Sequence, residues 1–184
     1  LWMGSYGDGP VKAGKEYFTY YEMFADQRDR IVLSVKEDKD QHIWFSTLDN
    51  GLVVFDRKKF WHYTKKTGLL EDEPTPLFKD RAGIIFCGFT NGLQKFTDQR
   101  IETFYNNQQK FTDQVNVYYS ANPTMAFVGS ENSGLLFIHK DSVYQLKEQN
   151  GLLSNKILTI TQSSDKKIWI TTDKSTESFL FEGN

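Results

Sequence analysis

The side chains able to do chemistry in this chain do not fall into a catalytic pattern. Its three histidines, His42, His62 and His139, show no zinc-type pairing at three to five residues. They read as surface or rim residues. No Gly-x-Ser-x-Gly elbow, no Gly-x-x-x-x-Gly-Lys phosphate loop and no calcium loop of alternating acids occurs. Gly4-Ser5-Tyr6-Gly7-Asp8-Gly9 suggests a glycine-rich cradle but reads better as a turn. Asp38, Asp40, Asp80 and Asp165 recur in polar segments, where an Asp side chain accepts from nearby backbone N–H groups. Lys58-Lys59, Lys65-Lys66 and Lys166-Lys167 read as solvated turn charge. The single cysteine, Cys87, lies in the apolar run Ile84-Ile85-Phe86-Cys87 and reads as a buried, inert thiol. No catalytic residue, metal ligand or cofactor is assigned.

What remains is hydrogen bonding and stacking. Asp49, Asn50, Asn91, Glu131 and Asn132 are the candidate ligand-binding residues. Amides, acids and nearby aromatics of this kind suit a sugar. The chain has 184 residues, with 22 Lys+Arg against 24 Asp+Glu. That balance argues against nucleic acid as a partner, which calls for a basic excess. Apolar residues make up 39% of the chain, enough for a sizeable core. No apolar run approaches the length of a membrane helix.

The elements that would position these residues follow from a repeat. Ile43-Trp44-Phe45 resembles Leu1-Trp2-Met3, Ile84-Ile85-Phe86, Met125-Ala126-Phe127 and Ile168-Trp169-Ile170, with centres at 2, 44, 85, 126 and 169. Gly9, Gly51, Gly92 and Gly134 keep the same period, as do Phe18, Phe60, Ile101 and Val143. Within one repeat, Ile31–Val35, Ile43–Thr47, Leu52–Phe55 and Phe60–Tyr63 read as four short strands. Asp49-Asn50-Gly51 between them is a hairpin signal, since Asn-Gly accepts positive φ. Four antiparallel strands per forty-odd residues is the signature of a propeller blade, with almost no helix. The predicted fold class is therefore an all-β propeller of four-stranded antiparallel blades, read as a fragment of a larger one of about seven blades. The predicted boundaries are a partial blade at 1–27, blades at 28–70, 71–110 and 111–153, and a partial blade at 154–184. The candidate ligand residues then share one loop face, made by hairpins between second and third strands and by loops joining blades.

The run Asp40-Gln41-His42-Ile43-Trp44-Phe45-Ser46-Thr47, followed by Asn50-Gly51-Leu52, Phe55-Asp56, Phe60, Tyr63-Thr64 and Gly68-Leu69, resembles the two-component regulator propeller repeat. So does Gly151 to Ile157, continuing through Asp165 to Thr172. The repeats around Ile85 and Ala126 depart from it by lacking the Trp, and the last lacks the hairpin Gly. The resemblance implies a non-catalytic, periplasmic sensing region of a hybrid two-component histidine kinase and response regulator of the Bacteroidetes type. It implies an oligosaccharide ligand, and as partners the remaining blades and downstream domains of the same chain, with a homodimer in the full-length context. A protein-interaction scaffold is the alternative, and a propeller-type polysaccharide lyase ranks third.

Overall fold

The computed structural model describes residues 1–21, 31–74, 76–97, 100–106, 109–139 and 142–180. The expected boundary between residues 27 and 28 lies outside them, as do the last four residues of the partial blade expected at 154–184. The chain divides into two compact units, Leu1–Phe89 with Gln94–Thr103, and Thr90–Leu93 with Phe104–Asn184.

Short antiparallel strands follow one another as the hairpin signals require. The first sheet holds β1 (Trp2–Gly4), β2 (Pro10–Ala13) and β3 (Phe18–Tyr20). The second holds β4 (Val32–Glu37), β5 (Ile43–Thr47), β6 (Leu52–Phe55) and β7 (Phe60–Tyr63). The third holds β8 (Leu77–Lys79), β9 (Ile85–Phe89), β10 (Gly92–Thr97) and β11 (Arg100–Thr103), and is followed by a small ribbon, β12 (Tyr105–Asn106) with β13 (Gln109–Lys110). The fourth holds β14 (Val115–Asn122), β15 (Met125–Ser130), β16 (Leu135–His139) and β17 (Ser142–Leu146). The fifth holds β18 (Ile157–Gln162), β19 (Lys167–Thr172) and β20 (Thr176–Leu180). Helix is limited, among the described residues, to the 3-10 turns Lys65–Thr67 and Glu148–Asn150. Within a sheet the sequential strands pair in order, the shortest route by which each hairpin satisfies its own backbone.

Each unit buries its apolar residues between neighbouring sheets. In the first unit, Trp44, Leu52 and Val54 of the second sheet form one cluster with Leu77, Ile85, Cys87 and Phe89 of the third. Ile43, Phe45, Val53 and Phe55 point to the other face, where Trp2 and Tyr21 pack on them. In the second unit, Phe127, Leu135 and Phe137 cluster with Ile157, Ile160, Ile168 and Ile170. A middle sheet is thus apolar on both faces, which is why β5 and β6 are buried at every position. Cys87 is fully buried, and that burial pushes its thiol well up, away from the reactive thiolate.

The structure corrects the repeat alignment. The β4–β5 turn closes with Asp38 N–H on the His42 carbonyl, and the β8–β9 turn with Asp80 N–H on the Ile84 carbonyl. Counting from these turns, Trp44 matches Phe86, not Ile85. Ile85 shares its face with Cys87 and Phe89 and so matches Ile43. In the fourth sheet Phe127, not Ala126, lies with Leu135 and Phe137 as Trp44 lies with Leu52 and Val54. The aromatic column is therefore Trp2, Trp44, Phe86, Phe127 and Trp169, and it is present in every repeat. Sliding a strand by one residue exchanges its faces, so matching the centres of apolar triads set two repeats on the wrong face.

Candidate functional site

The hairpins that carry Asp49 and Asn50, and Glu131 and Asn132, share one construction. Thr47 Oγ1 donates to the Gly51 carbonyl at 3.0 Å and accepts from Asn50 N–H at 3.1 Å. Ser130 Oγ does the same with Gly134 and with Ser133 N–H, and Ser5 Oγ with Gly9 and Asp8 N–H. Thr172 closes the last hairpin through Ser175, which explains how that turn dispenses with glycine. Gly4 to Gly9 is accordingly a hairpin connection. Asp49 is exposed at its tip, and Asn50 and Asn91 are half-buried.

Glu131 and Asn132 are brought together with three residues that the sequence reasoning did not single out. Glu131 holds Lys156 Nζ and, at 3.0 Å, Asn116 Nδ2. Asn116 also donates to the Ile157 carbonyl at 3.1 Å, which ties the fourth sheet to the fifth. The Asp113 carboxylate accepts from Asn132 N–H at 2.8 Å, Asn132 Nδ2 at 3.1 Å and Ser133 N–H at 2.6 Å. A signal existed in the spacing, because Asp72, Asp113 and Asn155 stand 41 and 42 residues apart. In this arrangement Glu131 and Asn132 spend their hydrogen bonds inside the fold.

These contacts set the acid response of the second unit. Burial raises the Asp113 pKa, but the hydrogen bonds from Asn132, Ser133 and Gln114 outweigh it, and the net value lies below the ordinary one. Lys156, then Asn116, hold Glu131 below its ordinary value. A depressed carboxylate stabilises the fold fully above its unfolded pKa of about 4, and the contribution is lost as pH falls through the folded value. The urea midpoint is therefore expected to drop as pH is lowered from about 5 to about 2. Asp113→Asn should flatten that slope; an unchanged slope would refute the assignment.

The acidic turns are structural. Asp38 Oδ1 accepts from Asp40 N–H and His42 N–H, both at 2.9 Å, while Oδ2 takes Trp44 Nε1 at 2.8 Å and faces His42 Nδ1 at 3.1 Å. Asp80 Oδ1 likewise accepts from Ala82 and Ile84 N–H. Asn122 serves the third such turn through Thr124, and Ser163 the fourth, where its Oγ takes Trp169 Nε1 at 3.1 Å. Asp165 accepts from Ser163 Oγ, and Asp40 lies 3.4 Å from Lys39 Nζ. Ligand atoms of Asp38, Asp40 and His42 fall within 4.8 Å of one another, but both Asp38 oxygens are already committed to donors. The group is a turn brace for the Trp column.

That brace is the link to known proteins. Residues 151–174, which include Ser163 and Trp169, match the family model described as two component regulator propeller. The same Trp-to-turn bond at Trp44 and Asp38 shows the repeat geometry recurring outside the matched segment. By fold, the chain is similar to the extracellular domain of a hybrid two component system from B. thetaiotaomicron. The TM-score is 0.74 at 18% identity, covering 100% of this chain and 26% of that one. It is also similar to virginiamycin B lyase from Staphylococcus aureus, at TM-score 0.67 and 12% identity, covering 96% of this chain and 64% of that one. These likenesses establish the all-β, propeller-type fold. The chain spans about a quarter of the length of the extracellular domains it matches. No curated protein matches it by sequence. No helix among the described residues is long and apolar enough to cross a membrane.

Proposed function

We propose that this chain is part of the extracytoplasmic, ligand-sensing propeller of a hybrid two-component sensor. In this reading it is non-catalytic, binds an oligosaccharide, and passes the bound state to a histidine kinase through downstream domains of a homodimeric full-length protein. The observation that carries the reading is the repeat matched at 151–174, in a fold shared with the extracellular domain of such a system. The hairpin loop bearing Asp49 and Asn50 fits a ligand of many hydroxyls, because amide and carboxylate oxygens accept from O–H donors. Remaining blades of the same protein are its first partners. In the propeller repeat a sheet buries both faces, whereas Leu1, Phe18 and Tyr20 are exposed on the first sheet and Trp169 on the fifth.

Isothermal titration calorimetry against cellohexaose, xylohexaose and mannohexaose tests the ligand class. Saturable heat with one glycan and none with the others is the expected result. No heat with any of them, together with tight capture of a folded protein partner, would replace this reading with that of an interaction scaffold. Turnover of a glycan would replace it with that of a lyase.

A further inference from the structure

The loop after the third sheet departs from a construction that the loops after the second and fourth sheets share. After β7 the chain makes the 3-10 turn Lys65–Thr67, ends it on Gly68 at φ 112°, and returns to brace its own hairpin. Gly51 N–H donates to the Asp72 carbonyl at 2.8 Å, and Asp72 Oδ1 accepts from Lys65 N–H at 2.6 Å. After β17 the same parts recur. The turn Glu148–Asn150 ends on Gly151 at φ 106°, Gly134 N–H meets the Asn155 carbonyl at 2.9 Å, and Asn155 Oδ1 accepts from Glu148 N–H at 2.9 Å. After β11 the β12–β13 ribbon stands in place of the turn. Asp113, in the column of Asp72 and Asn155, gives its carboxylate to Asn132, Ser133 and Gln114 instead.

Two acceptors are stranded by this change. Asn91 Oδ1 and Asn106 Oδ1 are buried without a hydrogen-bond partner. Gln94 faces Thr103, and Phe104 N–H reaches the Leu93 carbonyl at 2.9 Å. Asn91, in the β9–β10 turn, and Asn106, at the end of β12, therefore flank the same end of the β10–β11 pair. A buried acceptor without a donor costs free energy, and the fourth sheet builds the matching hairpin with Ser133 in the place of Asn91. Both residues are only half-buried, and the terminal torsion of an Asn side chain is soft. A ligand would reach the oxygens by rotation about that torsion. Phe104, on the face of Asn106 and 6.3 Å from the Phe111 ring, adds apolar surface beside them.

We infer that Asn91 and Asn106 form a binding site on the third sheet for a neutral polyhydroxylated ligand, whose O–H groups donate to the two amide oxygens. The unpartnered oxygens take donors, so the recognised group carries O–H. Lys110 on the same ribbon disfavours a cation. The inference rests on the sensor reading above and gives it a place.

The test combines calorimetry with the same three hexasaccharides and thermal unfolding of Asn91→Leu, Asn106→Leu and the double variant. The glycan that binds wild type should bind each single variant about tenfold more weakly, and the double variant weaker still. All three should melt no lower than wild type, since no partnered group is lost. Asp80→Ala, which breaks the bonds to Ala82 and Ile84 N–H, should melt lower yet keep wild-type affinity. If the glycan binds wild type and both Asn variants equally, the site is wrong and the sensor reading stands. If wild type binds none of the three, both fall. An Asn variant that unfolds would also overturn the inference, because it would show that these amides hold the fold together.

Discussion

Trp44→Ala is expected to destabilise the protein by about 3–5 kcal/mol, read as a drop in the urea midpoint by far-ultraviolet circular dichroism. The ring is buried between the second and third sheets. It stacks on Tyr63 with centroids 5.8 Å apart and planes 5° apart, and lies 5.1 Å from Phe96. Removing it opens a cavity too large for neighbouring strands to close, because their own hydrogen bonds fix them. It also removes the donor to Asp38 Oδ2, in the turn that ends β4. Trp44→Phe keeps most of the packing and loses the bond, so about half the effect should remain. Trp169 is the internal control. It occupies the same column and bonds its own turn through Ser163, but is 38% exposed. Trp169→Ala should therefore cost about 1 kcal/mol. Equal losses at the two positions would show that packing between sheets is not what the column provides.

The contrast between these residues shows what a single sequence can and cannot display. Hairpins were legible because their chemistry is local. Asn50-Gly51 and Asn91-Gly92 announce positive φ, and Gly51 and Gly92 adopt 66° and 148°. The bounds of β5, β6 and β7 are those expected for the same reason. Face assignment was less secure. Ile84-Ile85-Phe86 offers three apolar neighbours, and only the length of the preceding turn, set by Asp80, decides which of them belongs with Trp44. The hydrogen-bond partners of the loop residues are the least visible. Asn91 was named for its amide, but so were Glu131 and Asn132. What separates them is whether another residue has already taken the hydrogen bond. Asp113 and Lys156 take it from the latter pair across gaps of about twenty residues, and no local pattern records that. Asn106 stands in one of the loops joining blades, and its unpartnered Oδ1 is likewise a matter of neighbours that no local pattern records.

Gly51→Ala and Gly134→Ala are expected to cost about 3 kcal/mol each, nearly as much as the buried indole, though no side chain is removed. Both glycines sit in the left-handed region, at φ 66° and 78°. A methyl at either one would run into backbone, the Tyr63 carbonyl oxygen at Gly51 and the Leu146 carbonyl oxygen at Gly134. Those carbonyls belong to the ends of β7 and β17 and cannot withdraw without breaking the outer strand pair. Each glycine N–H also carries the bond to the Asp72 or Asn155 carbonyl, so displacing the glycine releases the loop that braces the hairpin. Gly151 separates strain from collision. It has φ 106°, but open space surrounds the position where a methyl would go. Gly151→Ala should therefore lose only the conformational part, about 1 kcal/mol. If all three variants lose the same amount in urea unfolding, the close approach of the outer strand to the hairpin is not what demands glycine there, and backbone strain alone accounts for the column.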